Sequence, residues 1–144
     1  MSSHDQALAE RVVTEMLSRD AFSRWLGITL LQVGPASATV QMTVREDMVN
    51  GFGVCHGGVT FSLADSALAF AANAHGRVTV SIDNSITYPS AVRPGDVLTA
   101  AAEQESASKR LAFFRVIVTR ADETVALFRG TVYRTDKHHF PTSS

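Results

Sequence analysis

The hydrophobic pattern of this chain begins with a helical period and then changes to a strand period. Apolar residues between positions 5 and 18 fall near one face of a helix, which predicts an amphipathic helix, and positions 21–26 add a short turn. Strands are predicted at 28–33 and 37–44, and the second alternates strictly between apolar and polar residues. Residues 1–26 therefore form an N-terminal helical segment that precedes a sheet.

The middle of the chain carries its most apolar stretch. Residues 45–55 have no clean period and contain Asn50-Gly51, so they are predicted to form a loop. The next run, 56–73, is rich in alanine, leucine and phenylalanine, contains no proline and ends shortly before Gly76. This composition predicts a long, mostly buried helix.

The second half of the chain reads as strands joined by short links. Four are predicted, at 78–88, 97–106, 111–120 and 124–134, and residues 136–144 are expected to be a flexible tail. Links of a few residues imply antiparallel neighbours.

One long apolar helix and five to six antiparallel strands suggest a specific α+β architecture. A helix that is apolar almost all round must be wrapped on most sides, and a curved antiparallel sheet can do this. This arrangement is the hotdog fold, in which a sheet encloses a long central helix. We expect residues 1–144 to form one such domain.

Composition excludes several classes of function. Hydrophobic residues make up 45% and charged residues 19%, with a formal net charge of −1, which is typical of a soluble globular protein and gives no basic footprint for nucleic acid. Cys55 is the single cysteine, so a reducing compartment is the simpler interpretation. No signal sequence or membrane-length apolar run is evident, and we expect a cytoplasmic protein without a membrane partner.

Asp65 is the most informative candidate residue. It lies in the middle of the apolar helix, where a carboxylate is costly unless it is paired or useful. Burial would raise its pKa and improve it as a base. The alternative is an aspartate on a solvent-facing stripe or one that caps a neighbour.

Gly57 offers a complementary group at the start of the same helix. Its N–H has no intrahelical partner and lies at the positive end of the helix dipole, so it could stabilise a carbonyl oxygen that becomes negative. A plain tight turn is the alternative. Asp65 follows eight residues later, about 12 Å along the axis, so one chain cannot easily direct both groups to one carbonyl. Two antiparallel helices from a symmetric dimer can, which favours a shared active site.

Other polar residues give weaker indications. His56 could orient Asn50 or a substrate carbonyl, or could be structural. Lys109-Arg110 at a hairpin tip could bind phosphates or could form a solvated turn. The histidines lack metal-ligand spacing, and we expect neither a metal nor another cofactor.

Several segments together resemble the hotdog thioesterases of the phenylacetate degradation (PaaI) type, over about residues 15–134. The matching segments are Asn50-Gly51, Cys55-His56-Gly57-Gly58, Phe61-Ser62-Leu63-Ala64-Asp65, Arg93-Pro94-Gly95-Asp96 and 124–130. The resemblance implies hydrolysis of acyl-CoA thioesters, with Asp65 as base or nucleophile and the Gly57 N–H on the thioester carbonyl. It also implies supporting roles for Asn50, His56 and Ser81.

The resemblance implies a substrate class and an assembly as well. The substrate would be an aryl thioester such as (hydroxy)phenylacetyl-CoA, and the expected substrate-binding residues are Gly58, Phe61, Lys109 and Arg110. A homodimer with a shared site, assembled further into a homotetramer, is expected. Two alternatives remain: a hydratase acting on thioesters and a noncatalytic acyl-CoA-binding protein.

Overall fold

The computed structural model describes residues 2–142, and its elements follow the predicted order. The helices are α1 (Ser3–Arg19), α2 (Ala21–Leu26) and α3 (Gly57–Asn73), with a 3-10 turn at Glu46–Met48. The strands are β1 (Thr29–Gly34), β2 (Ser37–Thr43), β3 (Arg77–Thr87), β4 (Val97–Ala107), β5 (Leu111–Arg120) and β6 (Glu123–His138). Met1, Ser143 and Ser144, which the predicted N-terminal segment and tail include, lie outside the described residues.

The strands form one six-stranded antiparallel sheet in the order β1-β2-β4-β5-β6-β3. The helix α3 connects β2, the second strand in this order, to β3 at the opposite edge, so the chain crosses from one side of the sheet to the other through its central helix. The strands β1 and β3 are the two edges. The structure confirms the predicted α+β fold, and its sheet has six strands, the larger of the two predicted numbers.

The inner face of the sheet packs on α3. The helix residues that face it are fully buried, and they include Leu63, Ala67, Leu68 and Ala71. Small residues in the strands let the helix approach closely. At Gly130 of β6, an added Cβ would lie 2.5 Å from Leu68 Cδ2, so any larger residue would force the Leu68 side chain to shift.

The N-terminal segment forms two helices rather than a helix and a turn. Ser2 caps α1, which buries Ala9, Val12 and Val13. The six residues predicted as a turn form α2, and Gly27 ends it in the left-handed conformation at φ 80°. A short helix here is stabilised by its contact with α3, which local sequence does not reveal.

The predicted tail over 136–144 is corrected at its start. The strand β6 continues to His138, which pairs with Arg77 at the beginning of β3. The His139 N–H donates to the Gly76 carbonyl at 2.8 Å, and the Arg11 guanidinium lies 3.7 Å from the centre of the Phe140 ring. The sequence did not indicate this strand extension, because its residues are polar. A strand that is exposed to solvent can pair without alternating apolar and polar residues.

No helix within residues 2–142 is both long and apolar enough to cross a membrane.

Candidate active site

The loop before α3 is held by backbone hydrogen bonds that fix where the helix starts. The Asn50 Oδ1 accepts from the N–H groups of Phe52 at 2.9 Å and Val54 at 3.4 Å. The His56 N–H donates to the Met48 carbonyl at 2.8 Å. Asn50 thus closes its own loop through its carbonyl oxygen, and its side-chain NH₂ group has no partner within residues 2–142.

His56 caps α3 and leaves one N–H group open. Its Nδ1 accepts from the Gly58 N–H at 2.9 Å, and its carbonyl accepts from the Val59 N–H at 2.9 Å. The Gly57 N–H has no acceptor within residues 2–142. This donor lies at the positive end of a 17-residue helix, as an oxyanion-binding group should.

Tyr88 holds the first residue of the helix from the other side. Its hydroxyl donates to the Gly57 carbonyl at 2.7 Å, and a Cβ at Gly57 would lie 3.1 Å from the ring Cζ. A cleft of 370 Å³ opens here, bordered also by Cys55 and Pro89. Burial raises the pKa of the Cys55 thiol, so this side chain stays protonated and is a poor nucleophile.

Asp65 lies two turns further along α3 and is half-buried. Its pKa is raised, first by desolvation and then by the negative charge of Asp20. No hydrogen bond or positive charge within residues 2–142 opposes this rise. An unpaired carboxyl group of this kind takes a proton from water more readily than an ordinary aspartate.

Two polar residues of β3 face the helix side of the sheet. Gly130 faces α3, since its added Cβ would meet Leu68, and the paired residue Asn84 lies on the same side with its Oδ1 2.8 Å from that Cβ. Ser81 pairs with the buried Val132, two residues beyond Gly130, and so faces α3 as well. The Ser81 hydroxyl donates to Asn84 Oδ1 at 2.9 Å.

Comparison with known proteins identifies the family. Residues 52–127 match the thioesterase superfamily model. The chain is 39% identical to the acyl-coenzyme A thioesterase PaaI of Escherichia coli (strain K12), over 83% of this chain and 86% of that protein. The chain belongs to the thioesterase superfamily. Acyl-coenzyme A thioesterase 13 of Homo sapiens is 36% identical over 83% of this chain and 86% of its own.

Solved structures support the same placement. The structure of the E. coli PaaI protein superimposes with a TM-score of 0.90 at 34% identity, over 92% of this chain and 97% of that one. The protein is thus a hotdog thioesterase of the PaaI family, as the sequence motifs predicted.

One ridge of α3 carries both candidate catalytic groups of this thioesterase, the Gly57 N–H and the Asp65 carboxylate. Gly57, Phe61 and Asp65 follow one another at intervals of four residues and so line one side of the helix. The Phe61 ring packs edge-on against Phe128 of β6, with 5.3 Å between ring centres. Gly58, next to Gly57, is exposed. The predicted residues of α3 therefore share one partly open surface.

Lys109 and Arg110 lie elsewhere in the monomer. Their turn joins β4 to β5 beside Arg134, whereas Gly57 contacts Tyr88 at the end of β3 that pairs with Leu127. Seven residues of β6 separate these places, roughly 23 Å along the strand. The Arg110 guanidinium is also engaged by Asp136 at 2.7 Å. Within one chain, these cations are not brought to the Gly57 end.

Sequence reasoning missed Asn84. Ser81 and Asn84 are three residues apart, and regular alternation would place them on opposite faces of β3. A bulge between Ser81 and Asp83 shifts the register and brings both to the helix side. No local sequence signal marks this bulge, so the pair could be found only from the structure.

Proposed function

We propose that this thioesterase hydrolyses acyl-CoA thioesters and that the Asp65 carboxylate drives the attack on the thioester carbonyl. The observation that carries the proposal is a half-buried carboxylate of raised pKa, without a partner among residues 2–142, on the same helix as a Gly57 N–H that has no acceptor among those residues. The relatives named as acyl-coenzyme A thioesterases support the substrate class.

The chemistry follows from these two groups. In the first route, Asp65 takes a proton from water as the water oxygen bonds to the carbonyl carbon, and the carbonyl electron pair moves to oxygen, where the Gly57 N–H stabilises it. In the second route, the Asp65 oxygen attacks first and water then hydrolyses the mixed anhydride. Both routes expel the CoA thiolate, which takes up a proton, and both yield the free acid.

The remaining predicted residues take supporting roles in this proposal. The free amide group of Asn50 and the hydroxyl of Ser81 would hold the attacking water or the carboxylate. His56 fixes the start of α3, where the Gly57 N–H lies, because its ring accepts a hydrogen bond from the next N–H group of the helix, that of Gly58. Gly58 and Phe61 would line the substrate channel on the exposed ridge of α3.

We further propose that two chains complete each site. The edge strand β3 spans 11 residues and exposes Val80 and Ile82, which are 48% and 56% exposed. Unpaired edges of this kind readily pair with a second strand. Antiparallel pairing of two β3 strands about a two-fold axis would set two α3 helices side by side, with Gly57 of one near Asp65 of the other. Further assembly into a tetramer would use exposed apolar residues of the outer sheet face, such as Phe113 and Leu127.

The proposed acyl group is of aryl type, such as (hydroxy)phenylacetyl. The E. coli relative is described as a protein from the phenylacetic acid degradation operon, which supports this choice. The ring of Phe61, which is only partly buried on the same ridge as Asp65, would provide an aromatic wall for such a group.

A panel of CoA thioesters tests the proposal. Phenylacetyl-, hydroxyphenylacetyl-, benzoyl-, acetyl-, long-chain acyl- and enoyl-CoA would be assayed by release of free thiol, with Asp65→Asn as control. We expect turnover by the wild type, highest for the aryl thioesters. Calorimetric binding without thiol release from any thioester would indicate a binding protein, and loss of enoyl-CoA absorbance without thiol release would indicate a hydratase.

A further inference from the structure

A buried chain of hydrogen bonds fixes α2 to the middle of α3. The Ser23 Oγ lies 2.6 Å from Asp20 Oδ2 and 2.7 Å from Ser66 Oγ, and both serines are buried. A carboxylate has no proton to donate, so the Ser23 hydroxyl donates to Asp20 and accepts in turn from the Ser66 hydroxyl. Asp20 also caps α2 by accepting from the Ser23 N–H at 2.9 Å.

This chain of hydrogen bonds ends next to Asp65, the proposed catalytic residue. Ser66 directly follows Asp65 in α3, and the negative charge of Asp20 is the second cause, after desolvation, of the raised pKa of Asp65. Two carboxyl groups therefore act on each other across the contact between α2 and α3. Like charges favour the neutral form of one of them.

The other charged groups around α3 do not take this role. Asp65 is the single titratable side chain within α3, and β1 and β2 contain no charged residue. The remaining groups are exposed, paired with one another or at the far end of the sheet. They are His4, Asp5, Glu10, Arg11, Glu15 and Arg19 of α1, Arg24 of α2, Arg45 and Asp47 beside α2, Arg77 and Asp83 of β3, Glu103 and Glu105 of β4, Arg115 and Arg120 of β5, and Glu123, Arg129, Arg134, Asp136, Lys137 and His138 of β6.

We propose that Asp20 is a positioning residue for Asp65: it anchors α2 on α3 through Ser23 and Ser66, and it places its negative charge beside the proposed catalytic carboxylate. The proposal rests on the function proposed above and adds a residue outside its reacting groups. Asp20 contacts no substrate in this scheme. It acts on the reaction through the position and charge state of its neighbour.

Three variants separate charge from packing. Asp20→Asn removes the charge but keeps an N-cap acceptor of almost equal quality, so the fold should persist. Ser23→Ala cuts the hydrogen-bond chain and keeps the charge. Asp5→Asn removes an equal charge from the exposed first turn of α1, which is not among the influences on Asp65. If Asp20→Asn is poorly folded, Asp20→Ser provides a second neutral cap.

The first readout is the acidic limb of the kcat/KM profile against pH. Because loss of a nearby negative charge favours the ionised form of Asp65, we expect this limb to move to lower pH in Asp20→Asn. It should stay in place in Asp5→Asn and Ser23→Ala, while Ser23→Ala lowers the melting temperature. In a composite site the partner's His56 would also approach Asp65, but it is identical in all variants and cancels. An unmoved limb in Asp20→Asn, or an equal shift in Asp5→Asn, overturns the proposal.

The second readout needs no turnover. The Asp65 carboxyl carbon can be titrated by NMR in wild-type and Asp20→Asn protein, with Asp65→Asn used to assign the signal. We expect its midpoint to fall in Asp20→Asn and not in Asp5→Asn, and an unchanged midpoint overturns the proposal. Full activity of Asp65→Asn would refute the proposed function instead, and the titration would still decide the role of Asp20.

Discussion

At the scale of single residues, Asp65 and the Ser81–Asn84 pair differ in how far the sequence reveals them. A carboxylate among alanines and leucines stands out in any pattern of polarity, and the structure places it half-buried with a raised pKa. Ser81 was identified only through resemblance to the family, and Asn84 was missed, because a bulge decides which face of β3 each occupies. The polarity of a residue can be read from the sequence, whereas the face of β3 on which it lies depends on the register of pairing with β6.

Replacing Asp65 by asparagine should separate activity from stability. We expect turnover to fall by roughly 10²–10⁴-fold, as for other positioned acid–base groups, with the fold retained. A folded Asp65→Asn protein with near wild-type kcat would rule out the catalytic role.

The same variant should be more stable than the wild type at neutral pH. The folded-state pKa of Asp65 is raised, so ionisation of Asp65 disfavours the folded state. This cost is absent below the unfolded-state pKa, builds up as pH rises through the folded-state pKa, and is complete above it. The difference in melting temperature between Asp65→Asn and wild type should therefore be positive at pH 7 and vanish in acid. A constant difference across this range would contradict the assigned cause.

At the scale of elements, the central helix and sheet were predictable and their contacts were not. The apolar composition of residues 56–73 predicted a buried helix that ends where α3 ends, at Asn73. The short helix α2 and the end of β6 were underpredicted, because each is stabilised by neighbours distant in sequence: Ser66 for α2 and Arg77 for β6. Local propensity carries no information on such contacts.

A substitution at Gly130 tests how tightly α3 packs against β6. Gly130→Ala would place a methyl group 2.5 Å from Leu68 Cδ2 and 2.8 Å from Asn84 Oδ1, so the fully buried Leu68 side chain would have to shift. We expect a loss of about 1–3 kcal/mol in the free energy of unfolding, as for other overpacked cores. Gly51→Ala is the matched control, since no atom lies within 4 Å of its added Cβ. Equal stability of both variants by chemical denaturation would show that the contact is looser than described.

Substitutions in the β4–β5 turn test whether this turn binds the CoA phosphates. Arg110 is engaged by Asp136, so we assign the larger share of any phosphate binding to the exposed Lys109. Lys109→Ala should raise KM for CoA thioesters more than it lowers kcat, because groups far from the reacting bond contribute mostly uniform binding. The nearby exposed Lys137→Ala serves as control. An unchanged KM in Lys109→Ala combined with Arg110→Ala would remove both residues from the binding site.

At the scale of the whole molecule, one chain has two edge strands, and its two proposed catalytic groups, the Gly57 N–H and the Asp65 carboxylate, lie apart along α3. The edges β1 and β3 each have a bulge and an exposed apolar residue, Leu31 on β1 and Ile82 on β3. The distance between Gly57 and Asp65 along one helix favours a second chain if both groups act on one carbonyl.

A matched pair of substitutions tests whether β3 is the edge of the proposed dimer. A lysine at an edge opposes strand addition, so Ile82→Lys should convert the proposed dimer to monomer and abolish turnover, whereas Leu31→Lys should do neither. Light scattering coupled to gel filtration would report the mass. A dimer that persists in Ile82→Lys and dissociates in Leu31→Lys would place the interface on β1.

Subunit mixing tests the shared active site most directly. Asp65→Asn is combined with Gly57→Pro, which removes the Gly57 N–H at a helix start where proline is tolerated and where His56 already has the extended backbone that precedes proline. Gly57→Ala, which keeps the N–H but crowds Tyr88 similarly, controls for packing. Each homodimer should be inactive. After verified exchange in equal amounts, half of the dimers should be mixed, each with one intact composite site, so about a quarter of wild-type activity should return. No recovery of activity after verified exchange would show that Gly57 and Asp65 act within one chain.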